Sequence, residues 1–303
     1  MIMGIKSMLG ISFVIIIIFF LLVYYFLPFN ELEFITSSGN NNFSLTLEKS
    51  DMQFYPNMRY PDNKITYKVH NCTLKKKQDA RDAFDILENL AVLDFETVSS
   101  GEEITVTCDE RERFEKGMFI AGEGGPTAVV KSGAYNVILH GKILLIKESK
   151  CEKPNIALHE LLHALGFVHS NNPNNIMYNF TNCKQTIGKD IPELINNLYE
   201  EESLTDLIFE DVSAKISGRY LYTNFSVRNA GLKNASASVV VINADEEKVK
   251  EIELAGLGIG DGIIATVENV KVPRNVKRLN FYIDCVDREL DKENNNISLE
   301  LKE

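Results

Sequence analysis

The sequence predicts an α+β domain, a mixed five-stranded sheet with three helices, followed by an all-β antiparallel sandwich and preceded by one transmembrane helix. Three observations predict it. An uncharged apolar run lies near the N-terminus, helix and strand patterns alternate as far as Glu201, and short alternating runs recur at regular spacing beyond Leu207. A chain of 303 residues has room for two domains behind a leader, and 45% hydrophobic with 25% charged residues is ordinary globular composition. A net charge of −11 argues against a nucleic-acid binder, which normally shows a basic patch.

From Met8 to Leu27 the chain reads MLGISFVIIIIFFLLVYYFL without a charge. At 1.5 Å per residue, a helix of that length spans a hydrocarbon core about 30 Å thick. Tyr24 and Tyr25 suit the interface, Lys6 precedes the run, and Glu31 and Glu33 follow it. Residues 8–28 are therefore expected to be a signal-anchor, single-pass in the cell membrane with the remainder outside the cytoplasm. A cleaved leader would make the protein secreted. Residues 29–60 read as a polar spacer in which the tract Ser37 to Asn42 has little to pack with, so ordered structure is expected from about Pro61 to residue 202.

Within that region KITYKVH (Lys64 to His70) alternates as a strand, and Ala80, Ala83, Phe84, Leu87 and Ala91 recur at helical spacing. FETV and EITVTC are strand candidates. A glycine-rich turn, Ala121 to Pro126, comes before TAVV, NVILH and KILLIKE. Pro154 opens a second helix and DIPELINNLYEE, from Asp190, makes a third. The boundary falls near 202–206. The sandwich, 204–303, follows in the runs LYTNFSVRN, SASVVVIN, VKEIEL, IIATVENV, RLNFYIDCV and ISLELK.

The chemistry concentrates in HELLHALGFVH, His159 to His169. His159 and His163 lie about 40° apart on one helix face and can chelate one ion. Glu160 stays on the same side, within reach of water at an open coordination position. Gly166 allows a left-handed turn that ends the helix and returns the chain, so that His169 arrives as a third imidazole. Three neutral nitrogens and one exchangeable position are the catalytic zinc pattern. HExxH alone arises by chance in roughly one in a hundred chains of this size; requiring Gly166 and His169 lowers that to on the order of one in 10⁵.

HELLHALGFVH, with Met177 eight residues on, resembles the metzincin signature HExxHxxGxxH and its Met-turn. Ser170 and the pair Met177-Tyr178 are similar to matrixins, and the likeness runs from about Lys64 to Tyr199. It is nearest to the compact prokaryotic and archaeal matrixin-like proteases. The resemblance implies a zincin-like domain with one catalytic Zn²⁺ on His159, His163 and His169. It makes Glu160 the general base and acid, and Met177 the floor beneath the metal. Substrate would be a peptide or protein bound as an extended strand on a sheet edge within residues 126–140, at AVV or NVILH. The cysteine-switch prodomain and the second zinc site of animal matrixins have no counterpart, so latency and calcium dependence do not carry over. His70 and His140 read as ordinary strand residues.

VRNAGLKNASASVVV and DCVDRELDKENNNISLEL resemble the CARDB-type adhesion sandwich. Asp287, Asp291 and Glu293 lack a known calcium-ligand spacing and read as a solvated hairpin tip. Cys151 and Cys183 bracket the zinc segment, where a bridge would add about 3–4 kcal/mol. Cys72 and Cys108 both end strands. Four cysteines leave three connectivities open, with Cys285 left over. The alternative function is a catalytically inactive, zinc-containing surface adhesion protein; intact Glu160 counts against it.

Overall fold

Period-2 and period-3.6 patterns resolve into the elements below in a computed structural model that describes residues 16–17, 40–43, 52–111, 113–115, 118–148 and 151–300. The chain divides into two units, 1–39 and 40–303. Apart from Ile16 and Ile17, the expected anchor at 8–28 lies outside the described residues. Among the described residues no helix is long and apolar enough to cross a membrane.

The first half of the larger unit contains strands β1 (Met58–Arg59), β2 (Lys64–Val69), β3 (Asp94–Thr97), β4 (Ile104–Cys108), β7 (Gly122–Ser132) and β8 (Tyr135–Leu145). A separate small hairpin is made by β5 (Arg113–Glu115) and β6 (Met118–Ile120). The large sheet has six strands, one more than expected, in the order β1-β8-β4-β2-β3 with β7 added beside β8. Its pairings are parallel except β7–β8, which is antiparallel. NVILH and KILL, expected as two strands, are one continuous β8 running through Gly141, where the Tyr60 hydroxyl leaves no room for a Cβ.

Helices α1 (Leu74–Glu88), α2 (Asn155–Ala164) and α3 (Asp190–Leu198) complete this region. Thr73 caps α1 by accepting from the Lys76 N–H at 3.3 Å. α1 buries Ala80, Ala83, Phe84 and Leu87, and Phe84 stacks on Tyr67 with ring centroids 3.9 Å apart. In α2 every residue except Ile156 is buried, the mark of a helix enclosed on all faces. Two bridges form, Cys72–Cys108 and Cys151–Cys183; Cys285 is a free thiol.

The spacer expectation needs correcting. Met52, Met58 and Tyr60 are buried core residues. The carbonyls of Asn40 and Asn42 accept from Asn172 Nδ2, the carbonyl of Asn41 accepts from Asn175 Nδ2, and the Phe43 N–H donates to Asp190. Polar side chains that have nothing apolar to bury still dock when another segment offers matching amides.

The second half is all β. β9 (Leu207–Ser217), which the run pattern missed, joins β10 (Tyr220–Asn229) and β13 (Gly262–Lys271) in one antiparallel sheet. β11 (Ser238–Ala244), β12 (Glu247–Leu254), β14 (Arg278–Asp284) and β15 (Asn296–Glu300) form the other. Alternate side chains from both sheets, among them Leu221, Phe225, Val240, Ile242, Leu279 and Phe281, meet in a single core.

Arg59 joins the two halves. It is 2% exposed and spends all five N–H donors. They go to the carbonyls of Tyr60, Leu198, Glu201 and Pro61 and to Ser203 Oγ. Its guanidinium lies 4.3 Å from the Tyr199 ring centroid and 5.4 Å from that of Tyr135. Burial lowers its pKa, and the two tyrosines oppose that shift. Because Arg59→Ala removes the donor from the Tyr60, Leu198 and Glu201 carbonyls, while Pro61 keeps the Ser203 hydroxyl, urea denaturation should show a loss of about 3 kcal/mol in unfolding free energy.

Candidate metal centre

Helix α2 supplies the first two imidazoles and its termination supplies the third. The Gly166 N–H bonds the His163 carbonyl at 2.9 Å and the Phe167 N–H bonds that of Leu162 at 3.0 Å, a Schellman closure. Gly166 has φ +94°, which L side chains rarely adopt, and a Cβ there would meet Met58 Sδ at 2.9 Å. The chain reverses at this point and carries His169 back to the helix.

The three rings converge. His163 Nε2 lies 3.0 Å from His159 Nε2 and 3.2 Å from His169 Nε2. Nitrogens at tetrahedral angles and about 2.05 Å from one zinc ion would be about 3.3 Å apart, so the donor set fits that ion. Tautomers are fixed from behind. His159 Nδ1 faces the Ile176 carbonyl and His163 Nδ1 the Phe167 carbonyl, each at 2.7 Å. A carbonyl only accepts, so both Nδ1 atoms carry the proton and both Nε2 lone pairs face the centre. Among the described residues this is where His, Cys, Asp or Glu ligand atoms gather, all within 4.8 Å of one another.

Met177 is fully buried, and its carbonyl accepts from the Ser170 N–H at 2.8 Å, next to His169. The turn at Ile176–Met177 thus holds His159 through one carbonyl and the His169 strand through the next. Cys151–Cys183 ties the approach to α2 to the segment after this turn, and Asn155 Nδ2 bonds the Asn182 and Gln185 carbonyls across the same gap. The ring of Phe54, from the segment expected as spacer, lies 6.1 Å from His163 in a stacked arrangement. His70 and His140 stand elsewhere, bonded to Glu102 and to Thr105 and Thr127. Asp287 accepts from Ser236 and Asp291 from the Glu293 N–H, so both serve turns.

Among the described residues the free sheet edge beside the centre is β7. β8 is flanked along its length by β7 on one side and by β1 and β4 on the other, which removes NVILH as an edge. Within β7 the stretch touching Glu160 is Gly122–Gly124, upstream of the expected 126–140. A Cβ on Gly122 would sit 2.7 Å from Glu160 Cγ, and one on Gly124 would collide with the Glu160 carbonyl. The glycines that read as a turn are strand residues, small because α2 passes directly beneath. Glycine within a strand pattern signals such close approach. The carbonyls of Ile176 and Phe167 leave no trace in side-chain identity.

Burial sets the protonation states. It lowers the pKa of His159 to about 4 and that of His163 to about 3, keeping both neutral and ready to ligate; His169 is lowered as well. Burial, with Glu123 adding to it, raises Glu160 to about 8. With the ion removed by a chelator, the imidazoles make stability fall as pH drops below 6.5, because the unfolded chain takes up protons that the folded one refuses. Glu160 acts oppositely: between 4.5 and 8 the folded state holds a proton that the unfolded state has lost, so stability falls as pH rises. Three groups outweigh one below 6.5, and above it only Glu160 contributes. Thermal midpoints of chelated protein should therefore peak near pH 6.5, and Glu160→Gln should abolish the decline between 6.5 and 8.

Comparison with known proteins gives weak structural likenesses and one family-model match. A CARDB domain of a Pyrococcus furiosus protein, solved in complex with di-metal ions, is 16% identical. The match covers 32% of this chain and 87% of that one, with a TM-score of 0.29. A domain of a putative cell surface protein from Methanosarcina acetivorans is 15% identical over 31% of this chain and 88% of its own, TM-score 0.28. Myroilysin is 12% identical over 48% of this chain and 83% of its own, TM-score 0.31. No curated protein matches the chain. The family model described as Matrixin matches residues 59–200. That segment holds the three converging imidazoles and Glu160.

Proposed function

We propose that the protein is a zinc-dependent endopeptidase that hydrolyses peptide bonds in extended substrates. The observation that carries the reading is the convergence of the Nε2 atoms of His159, His163 and His169, backed by carbonyls, beside a buried glutamate under a free sheet edge. These three imidazoles would hold zinc. When bound, the ion supplies Lewis acidity that makes water acidic near neutral pH and polarises a carbonyl. A cation held by the imidazoles would favour the ionised form of Glu160, which would then take the proton of the attacking water and deliver it to the departing amine. The water oxygen joins the scissile carbon, the C–N bond breaks, and the proton ends on the new amine. Gly122, Gly124 and Gly125 offer backbone groups, without side chains of their own, to an extended peptide beside Glu160. Met177 closes the site from below.

Glu160→Ala should keep zinc at one ion per chain while peptidase turnover falls by at least about 10²-fold. A chelator should abolish wild-type turnover and zinc should restore it. Normal cleavage of casein by the metal-loaded variant would remove the role given to Glu160.

The reading divides the chain into an anchor at 8–28, a peptidase domain at 61–202 to which residues 52–60 add core, and a CARDB-like sandwich at 204–303. It places both domains outside the cytoplasm. The uncharged run at 8–27 and the cysteine bridges support export. The expressed protein should stay with membranes through alkaline carbonate washing; release into the wash would make it secreted or peripheral.

A further inference from the structure

The second half of the chain touches the peptidase domain at one place in particular, the β7–β8 hairpin. Ser132 is buried, and its hydroxyl faces two carbonyls of the loop after β10, Gly231 at 2.6 Å and Asn229 at 3.2 Å. Leu232 and Ile259 pack with Val137 in a small apolar core of their own, flanked by Val130 and Tyr135. The docking loop is internally braced. Asn229 is fully buried, donates to the Lys233 and Leu257 carbonyls, and accepts from the Gly231 N–H.

One contact falls on the free edge itself. The hairpin pairs Ser132 with Tyr135 and Lys131 with Asn136. The Asn136 N–H points the other way, to the Asn57 carbonyl at 3.1 Å. Lys131 and Asn136 are therefore not a hydrogen-bonded pair, and the Lys131 carbonyl faces outward along the open edge. Gly260, at φ +75°, sits against that carbonyl; its Cβ would come within 2.9 Å. From Gly124, beside Glu160, to Lys131 is seven residues of strand, about 23 Å.

β7 needs such support. Among the described residues it pairs with β8 alone; it carries Gly122, Gly124 and Gly125, and changes register near Ala128. An edge of that composition loses much backbone freedom when a peptide pairs with it.

We propose that the C-terminal double sheet is a positioning element for substrate: docked on the β7–β8 hairpin, it pre-orders the free edge of β7 and ends it at Lys131. The stop leaves about seven residues of pairing edge between Glu160 and the double sheet. The inference rests on the peptidase reading, and two readouts separate them. In the full chain in detergent, Leu232→Asp with Ile259→Asp undocks the double sheet, a state verified by small-angle scattering. Amide exchange over residues 122–131 then accelerates at least about tenfold. With a quenched library of sixteen-residue peptides, KM rises about five- to tenfold while kcat and zinc content hold, and with six-residue peptides KM stays constant. Ile259→Val retains wild-type behaviour. If the double variant does not fold, Ser132→Ala, which deletes one hydroxyl, shows the same two changes in smaller measure. Unaltered exchange in an undocked chain overturns the proposal, as does a KM rise equal for both peptide lengths. A wild-type chain that cleaves nothing ends the peptidase reading and the substrate half of this one, while the exchange measurement still decides whether β7 is held from outside.

Discussion

Three imidazole nitrogens gathered within 4.8 Å, with His163 Nε2 3.0 and 3.2 Å from the other two, are unfavourable for a protein unless a cation is to sit among them. Much of the structure around α2 answers that one constraint. The Ile176 and Phe167 carbonyls lock two tautomers, the Schellman closure at Gly166 returns the chain, and Met177 anchors the strand that carries His169. Burial does the rest by keeping the rings neutral at physiological pH. The Cys151–Cys183 bridge and the Asn155 bonds then hold the turn supplying the Ile176 carbonyl against the start of the helix.

The same burial that prepares the histidines would exclude substrate if the sheet edge above carried side chains. Glycine at 122 and 124 settles this conflict. The edge descends onto α2 until its backbone meets Glu160. The cost is a strand with three glycines to order. Pairing with β8 along its length offsets that cost, and at its far end Gly231 and Gly260 of the second half meet Ser132 and Lys131.

The contact between the two halves is of the same kind as the contacts within them. Arg59 is tucked where β1, the end of α3 and the linker meet, with its charge spread over four carbonyls, a hydroxyl and two aromatic faces. Tyr135 belongs both to this joint and to the apolar patch with Leu232 and Ile259. Linker, hairpin and double sheet thus share residues.

The sequence by itself determined whatever depends on near neighbours. His159 and His163 share a helix face by a spacing of four, Gly166 must end that helix, and alternation marks the strands because period 2 is written in the side chains. β9 escaped because an irregularity at Glu210–Asp211 shifts its alternation between Phe209 and Val212. Tertiary structure alone decided which strand edge is free, which of three cysteine connectivities forms, and that Asn40–Phe43 docks while its composition reads as spacer. Those outcomes turn on pairings between residues far apart in the chain. Backbone carbonyls and the absence of a Cβ carry them, and a residue letter records neither the partner nor the distance.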